Sequence, residues 1–311
     1  MQHDKEIKHN ILNKNIINII LINIISFLPI KNIYLSRIVC KEWRDILTGN
    51  LAKNMIAIKV PVKITHLETR CVDFSIDYLL NINNQFFVSG YNDHSGPIIY
   101  NFNTGKYINT QTFLKKSNSK YICGSNINIE IFNPLFEKLY SWKCLDGLID
   151  LAIDEDYIYI INLNLCRIFD FKGKLINKWD IPDDEQTFGT KININKDKIY
   201  LTTNDYRTNW LQIFSQKGES IRKIKISENS EEKKYFDVNF TIFSNIIYLY
   251  DFVNNVIKFF SCNGDLINKY PLIIPFEDET YKNIRDILVI DDHLYISHSI
   301  YYLNVFKLQY S

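Results

Sequence analysis

The sequence predicts a small all-α module of three short helices followed by an all-β propeller of about six four-stranded blades. Three observations carry this. Between residues 16 and 47, apolar side chains recur at helical spacing. From Asp73 onward that period vanishes, and short runs rich in Ile, Tyr, Phe and Val alternate with Asn, Asp and Gly. Those runs repeat as a four-strand unit with a tight turn ahead of its last strand.

In the helical part, Ile17, Ile20, Leu21, Ile24, Ile25 and Leu28 line one face of a 3.6-residue helix. Ile16, Ile19, Ile22 and Phe27 add apolar area elsewhere, so this helix needs cover on more than one side. Pro29 ends it, because proline removes a donor and clashes with the preceding turn. A second helix over 31–39 offers Ile33, Leu35, Ile38 and Val39; a third, from Lys41, carries Trp43, Ile46 and Leu47. So small a core is marginal alone and leaves apolar surface for a partner. The apolar run of the first helix is about 15 residues, broken by Asn18, Asn23 and Ser26, and a membrane span needs roughly 20. Asp4 and Glu6 among the first lysines, with no small-residue cleavage site after them, argue against a signal peptide.

The run Ile24-Ile25-Ser26-Phe27-Leu28-Pro29, then Lys31-Asn32-Ile33, then Val39-Cys40-Lys41-Glu42-Trp43-Arg44, resembles an F-box. The resemblance covers residues 16–48. It implies docking to the Skp adaptor, and through it a cullin, of a ubiquitin ligase. It also implies Leu21, Ile24, Ile25, Leu28, Pro29 and Ile33 as adaptor contacts, with Val39, Cys40 and Trp43 packing the module. Ile16, Ile17 and Asn18 stand where the family opens with Leu-Pro and an acidic residue.

Residues 1–15 are polar and predicted to fray. A connector over 49–70 follows the helices, and the propeller occupies 71–311. The clearest repeat spans Leu148 to Trp179, with strands at 148–153, 157–161, 167–171 and 175–179 and Lys172-Gly173 turning the last pair. Further copies use the turns Thr104-Gly105, Lys217-Gly218 and Asn263-Gly264. The aromatics Phe87, Tyr121, Tyr159, Tyr200, Tyr248 and Tyr295 mark the second strand of each unit, 34 to 48 residues apart. A four-stranded unit of that length, repeated about six times, is a propeller blade. The recurring I-x-I/V-F-x-x-x-G-x-L-I-x-K is similar to NHL-type repeats. The last unit lacks a fourth strand. The alternating segment near residues 55–64 is expected to supply it, closing the ring and removing an open edge.

The chemistry is sparse. Lys plus Arg numbers 36 against 35 Asp plus Glu, a net charge of +1, so duplex nucleic acid is not an expected partner; nor, from the short and interrupted apolar run above, is a membrane. Six cysteines form no C-x-x-C pair and six histidines form no metal-binding spacing. Reduced thiols in a cytoplasmic or nuclear compartment follow as the expectation. No nucleophile with its base, and no phosphate loop, is recognisable. Nine residues before four of the second-strand aromatics stand Asp150, Lys191, Asn239 and Asp286, a polar ring at one mouth of the channel. It reads either as a hydrated lining or as ligands for a metal or small molecule. Tyr91, His94, Tyr206, Arg207 and Trp210 lie on or beside loops between second and third strands and are candidate substrate contacts.

The expected function is therefore that of a substrate-recognition subunit of a Skp-cullin-F-box ligase. The F-box docks the adaptor, the propeller holds a protein substrate, and no cofactor or catalytic residue is needed. The rival expectations are a non-degradative propeller scaffold and a metal-dependent propeller hydrolase using Asp150, Asn239 and Asp286.

Overall fold

The computed structural model describes residues 61–310, apart from 94, 110–112, 118–120, 126–127, 144–147, 163, 182–187, 205–207, 229–237, 252, 273, 275–283 and 299–300. The F-box residues Leu21, Ile24, Ile25, Leu28, Pro29, Ile33, Val39, Cys40 and Trp43 thus lie outside the described residues. The described chain belongs to a compact unit that begins at Val60.

It forms six antiparallel sheets of four strands. Blade 1 is β2 (Ser75–Ile82), β3 (Gln85–Asn92), β4 (Gly96–Asn101) and β5 (Lys106–Asn109). Blade 2 is β6 (Phe113–Ser117), β7 (Ile122–Ser125), β8 (Asn128–Phe132) and β9 (Lys138–Lys143). Blade 3 is β10 (Asp150–Ile153), β11 (Tyr157–Asn162), β12 (Leu165–Asp170) and β13 (Leu175–Asp180). Blade 4 is β14 (Phe188–Asn195), β15 (Lys198–Asn204), β16 (Thr208–Ser215) and β17 (Ser220–Glu228). Blade 5 is β18 (Phe240–Phe243), β19 (Ile246–Asp251), β20 (Val256–Ser261) and β21 (Leu266–Pro271). Blade 6 holds β22 (Ile284–Ile290), β23 (His293–His298) and β24 (Tyr302–Tyr310), with β1 (Pro61–Cys71) as its fourth strand. The first strands of successive blades touch in a closed cycle, β2 to β6, β10, β14, β18, β22 and back to β2, so they line the centre.

The core sits between blades. Each of six apolar clusters joins two neighbours: Tyr159 and Ile161 of blade 3 pack with Ile199, Leu201 and Phe214 of blade 4. Likewise Leu80 and Phe87 of blade 1 pack with Leu114 and Ile122 of blade 2. A blade alone has two faces to cover, and the ring covers both. Second strands are buried almost throughout, as in β19, whereas the outer β13 and β21 alternate only between exposed and half-buried.

The ring closes as expected, by an N-terminal strand. β1 pairs antiparallel with β24 from Pro61↔Tyr310 to Cys71↔Tyr302, so it includes residues 61–64 of the predicted 55–64 and runs on to Cys71, while residues 55–60 lie outside the described residues. An outer strand buries little. In β1 only Pro61 and Ile64 have side chains described as buried, so alternation is a weak guide there. β6, the first strand of blade 2, likewise carries no apolar run that would announce it, since FLKKS holds two lysines. In blade 2 the pair before the third-strand bulge is Cys123↔Ile131, matching Tyr159↔Ile168. Cys123, and not Tyr121, fills that buried position.

Asparagine-rich composition serves the turns. Asn83-Asn84 and Ser244-Asn245 join first to second strands with both φ values positive, a left-handed conformation that Asn tolerates. The third-to-fourth turns of blades 1, 3, 4 and 5 use glycine, and that of blade 2 has Phe136 at φ 65°. Asp170, Ser215 and Ser261 each accept two backbone N–H bonds across their turn, and Gly173, Gly218 and Gly264 sit at φ 83°, 86° and 86°. These glycines also serve packing. A Cβ on Gly173 would stand 2.6 Å from the Trp142 ring, and one on Gly218 2.6 Å from the Trp179 ring. The outer-strand Trp of one blade lies against the turn of the next.

Candidate binding face and central channel

The ring has two ends. The turn end carries the first-to-second and third-to-fourth turns. The loop end carries the second-to-third loops and the connections between blades. β1 starts at the turn end, because Pro61 pairs with Tyr310 while the Leu308 N–H, two residues earlier, bonds to Asp292 O in the β22–β23 turn.

At the loop end, Tyr91 closes β3 with its side chain 41% exposed, and its backbone is tied to the Ser75 hydroxyl in both directions at 3.1 Å. Gly90 beside it admits no side chain, since a Cβ there would meet Ser75 O. His94, Tyr206 and Arg207 lie outside the described residues. Trp210 is not at a loop tip: it sits half-buried within β16, with Lys223 Nζ 4.7 Å from its ring centroid. Tyr91 belongs to blade 1 and Trp210 to blade 4, across the ring, so the two do not share one patch.

The four polar residues predicted as a ring do occupy equivalent places. Asp150, Lys191 and Asp286 stand opposite Ile161, Thr202 and Ser297, and Asn239 O accepts the Tyr250 N–H. Three of them reach the neighbouring blade. Asp150 Oδ2 accepts the Ile192 N–H at 3.0 Å, Asp286 Oδ2 accepts the Leu79 N–H at 2.9 Å, and Asn239 Nδ2 donates to Ile284 O at 2.8 Å. Their exposures are 1%, 3% and 2%. Buried carboxylates that accept backbone N–H groups join one inner strand to the next, a charge-assisted bond stronger than a neutral one. Among the described residues no cluster of three or more His, Cys, Asp or Glu could hold a metal ion.

Lys191 does face the channel, and it meets groups that the sequence reading passed over. Lys115 Nζ and Lys191 Nζ each lie 5.4 Å from the ring centroid of Tyr78. Lys191 Nζ also donates to Arg285 O at 3.3 Å. Asp77, Lys115 and Arg285 are the extra residues of bulges between first and second strands, which turn them out of the ladder. Cations therefore arrive from the alternate blades 2, 4 and 6 around Tyr78 and Asp77 of blade 1. Burial raises the Asp77 carboxyl above its ordinary value, while Arg285, Lys115 and Lys191 pull it down. Burial lowers Lys115; nearby Lys191 lowers it too, and Asp150 and Asp77 oppose the change. Burial also lifts the Tyr78 phenol well above its usual range, helped by Asp150, Asp286 and Asp77. The result is a mixed-charge cluster around one aromatic ring. Its signal was in the repeat, because Tyr78 also lies nine residues before its second-strand aromatic, Phe87.

Comparison with known proteins bears on the helical part. Residues 16–51 match the family model described as F-box domain. No curated protein matches the chain. Among solved structures it is similar to the crystal structure of BamB from Moraxella catarrhalis, at 9% identity over 80% of this chain and 100% of that one, with a TM-score of 0.44. A likeness at that level carries no argument. The protein thus joins a segment that matches the F-box domain, residues 16–51, to a six-bladed β-propeller closed by strand β1.

Proposed function

We propose that this protein is the substrate-recognition subunit of a Skp-cullin-F-box ubiquitin ligase, working in the cytoplasm or nucleus. The observation that carries the reading is the F-box match over residues 16–51 joined to a complete propeller. In this reading Leu21, Ile24, Ile25, Leu28, Pro29 and Ile33 dock the Skp adaptor, and Val39, Cys40 and Trp43 pack the module. The propeller presents its loop end, including Tyr91, His94, Tyr206 and Arg207, to a protein substrate. Trp210 contributes from the flank of blade 4. The protein transfers nothing itself; it raises the local concentration of substrate at the ligase. The repeats are read as NHL-like on their recurring I-x-I/V-F-x-x-x-G-x-L-I-x-K pattern.

Two features bear on the rivals. The inter-blade hydrogen bonds of Asp150, Asn239 and Asp286 give those residues a structural task and weigh against a hydrolase built on them. Ile16-Ile17-Asn18 in place of the usual Leu-Pro opening favours the scaffold reading. The test is capture of the full chain from a eukaryotic lysate beside a Leu28→Asp, Pro29→Ala variant. Adaptor and cullin recovered with the native chain alone support the receptor. Their absence from a folded native chain leaves the scaffold.

A further inference from the structure

The first strands of the blades start at the loop end, and there the mouth of the central channel gathers three cations from three blades. Lys191 spans the lumen. Blade 4 stands opposite blade 1, yet Lys191 Nζ lies 5.4 Å from the Tyr78 ring centroid and donates to Arg285 O of blade 6 at 3.3 Å. Lys115 Nζ reaches the same ring from blade 2, also at 5.4 Å. No more than twice that distance separates the two ammonium groups, a gap that an oxyanion bonded on both sides, at about 2.8 Å each, can bridge. Lys115 and Arg285 are bulge residues, and bulges re-aim side chains in this way beside binding sites.

The charge that solvent reaches is uneven. Asp150 and Asp286 belong to the same ring of first strands, but they are buried, and each gives an oxygen to a backbone N–H of the next blade. Asp77, Tyr78, Lys115 and Lys191 are only half-buried and Arg285 is exposed. The accessible side of the mouth thus carries three cations against the single carboxylate of Asp77, an excess of two positive charges. Among the described residues no ion pair within 4.0 Å holds Lys115 or Arg285. Like charges brought together in a partly dry site repel one another, and a bound anion relieves that repulsion. The lowering of the Lys115 ammonium by burial and by Lys191, which Asp150 and Asp77 oppose, is a cost that such an anion would offset.

The donors also say what kind of anion fits. Two lysine ammonium groups offer several N–H donors each from compact point charges, and a guanidinium offers a planar fork, so the partner needs several acceptor oxygens. Two excess charges call for a doubly charged one. We propose that the loop-end mouth of the channel binds one small dianionic oxyanion, of the size of phosphate or sulfate, between Lys115, Lys191 and Arg285. The site uses no F-box residue and does not rest on the ligase reading.

Isothermal titration calorimetry of the full chain tests it, with sodium phosphate, sodium sulfate and, as a singly charged control, sodium nitrate at fixed ionic strength. Phosphate and sulfate are expected to bind once per chain, and nitrate much more weakly. Lys115→Met and Arg285→Gln each remove one charge-assisted donor and should weaken sulfate binding about tenfold or more. Asp77→Asn removes the one accessible like charge and should tighten it. Lys172→Met, at an exposed lysine in the outer turn of blade 3, leaves it intact. No binding by the native chain, nitrate held as tightly as sulfate, unchanged affinity in both Lys115→Met and Arg285→Gln, or weaker binding in Asp77→Asn would each overturn the proposal. Should Lys115→Met fail to fold, the anion comparison, Arg285→Gln and Asp77→Asn still decide.

Discussion

Replacing Gly218 by Ala tests the idea that blades are locked by an outer-strand Trp against the next turn. Two costs act at this position. The backbone has φ +86°, where an L side chain is strained by about 1–2 kcal/mol. The added Cβ would stand 2.6 Å from Cγ and Cδ2 of Trp179, far inside van der Waals contact, and such overpacking costs about 1–3 kcal/mol. Gly96 separates the two costs. Its φ is +79°, yet a Cβ there meets nothing within 4 Å. Gly96→Ala is therefore expected to cost about 1–2 kcal/mol and Gly218→Ala about 2–5 kcal/mol. Urea unfolding followed by far-ultraviolet circular dichroism reads the difference. A second arm removes the ring: in Trp179→Ala the clash disappears, so the double variant should be less unstable than the two single changes summed, by about 1–3 kcal/mol. Equal losses for Gly96→Ala and Gly218→Ala, or strict additivity with Trp179→Ala, would refute the lock.

Three further expectations follow from the channel and the thiols. Asp286→Ala should destabilise the ring by about 2–3 kcal/mol, because it removes a charge-assisted acceptor and leaves the buried Leu79 N–H without it. Asp286→Asn, which keeps an oxygen there, should cost less; denaturant midpoints compare them. Lys115→Met should raise the Asp77 pKa further, since Lys115 is one of three cations pulling it down. Because the folded value is already raised, the associated stabilisation is complete below the unfolded carboxyl value and is lost as pH rises through the folded one. A carboxyl-carbon NMR titration reads Asp77 directly, and a fall on Lys115→Met would contradict the arrangement. Iodoacetamide should label exposed Cys71 in the native protein but reach Cys123, whose thiol burial pushes up to about 12, only after unfolding. Mass spectrometry finding Cys123 modified as fast as Cys71 would argue against its burial.

Where the sequence was informative, local chemistry was strong. The third-to-fourth turns of blades 3, 4 and 5 were legible because Lys172-Gly173, Lys217-Gly218 and Asn263-Gly264 recur at one place, and glycine suits their left-handed backbone; in blade 2 Phe136 takes that place at φ 65°, and no such signal marked it. Second strands were legible because nearly every residue of β11, β15 and β19 is buried, which demands unbroken runs of Ile, Tyr and Leu. The closing strand runs past the predicted segment to Cys71, which alternation did not show, since β1 is held by backbone pairing with β24 and buries few side chains. The polar ring was found by position, but its partners were not. That Asp150 reaches Ile192 and Asp286 reaches Leu79 depends on how one blade is rotated against the next.

By itself the sequence determined the resemblance of residues 16–48 to an F-box, from its motif, and the four-strand unit whose repetition makes a blade unable to stand alone, from short-range spacing and turn chemistry. Only the tertiary structure decided which residues meet across the ring. Lys115, Lys191 and Arg285 gather on Tyr78 from three separate blades, and Phe86 meets Tyr295, 209 residues further along the chain. The missing fourth strand of the last unit signalled that the ring closes, but which side chains then meet depends on how the blades are rotated against one another, which no local pattern encodes.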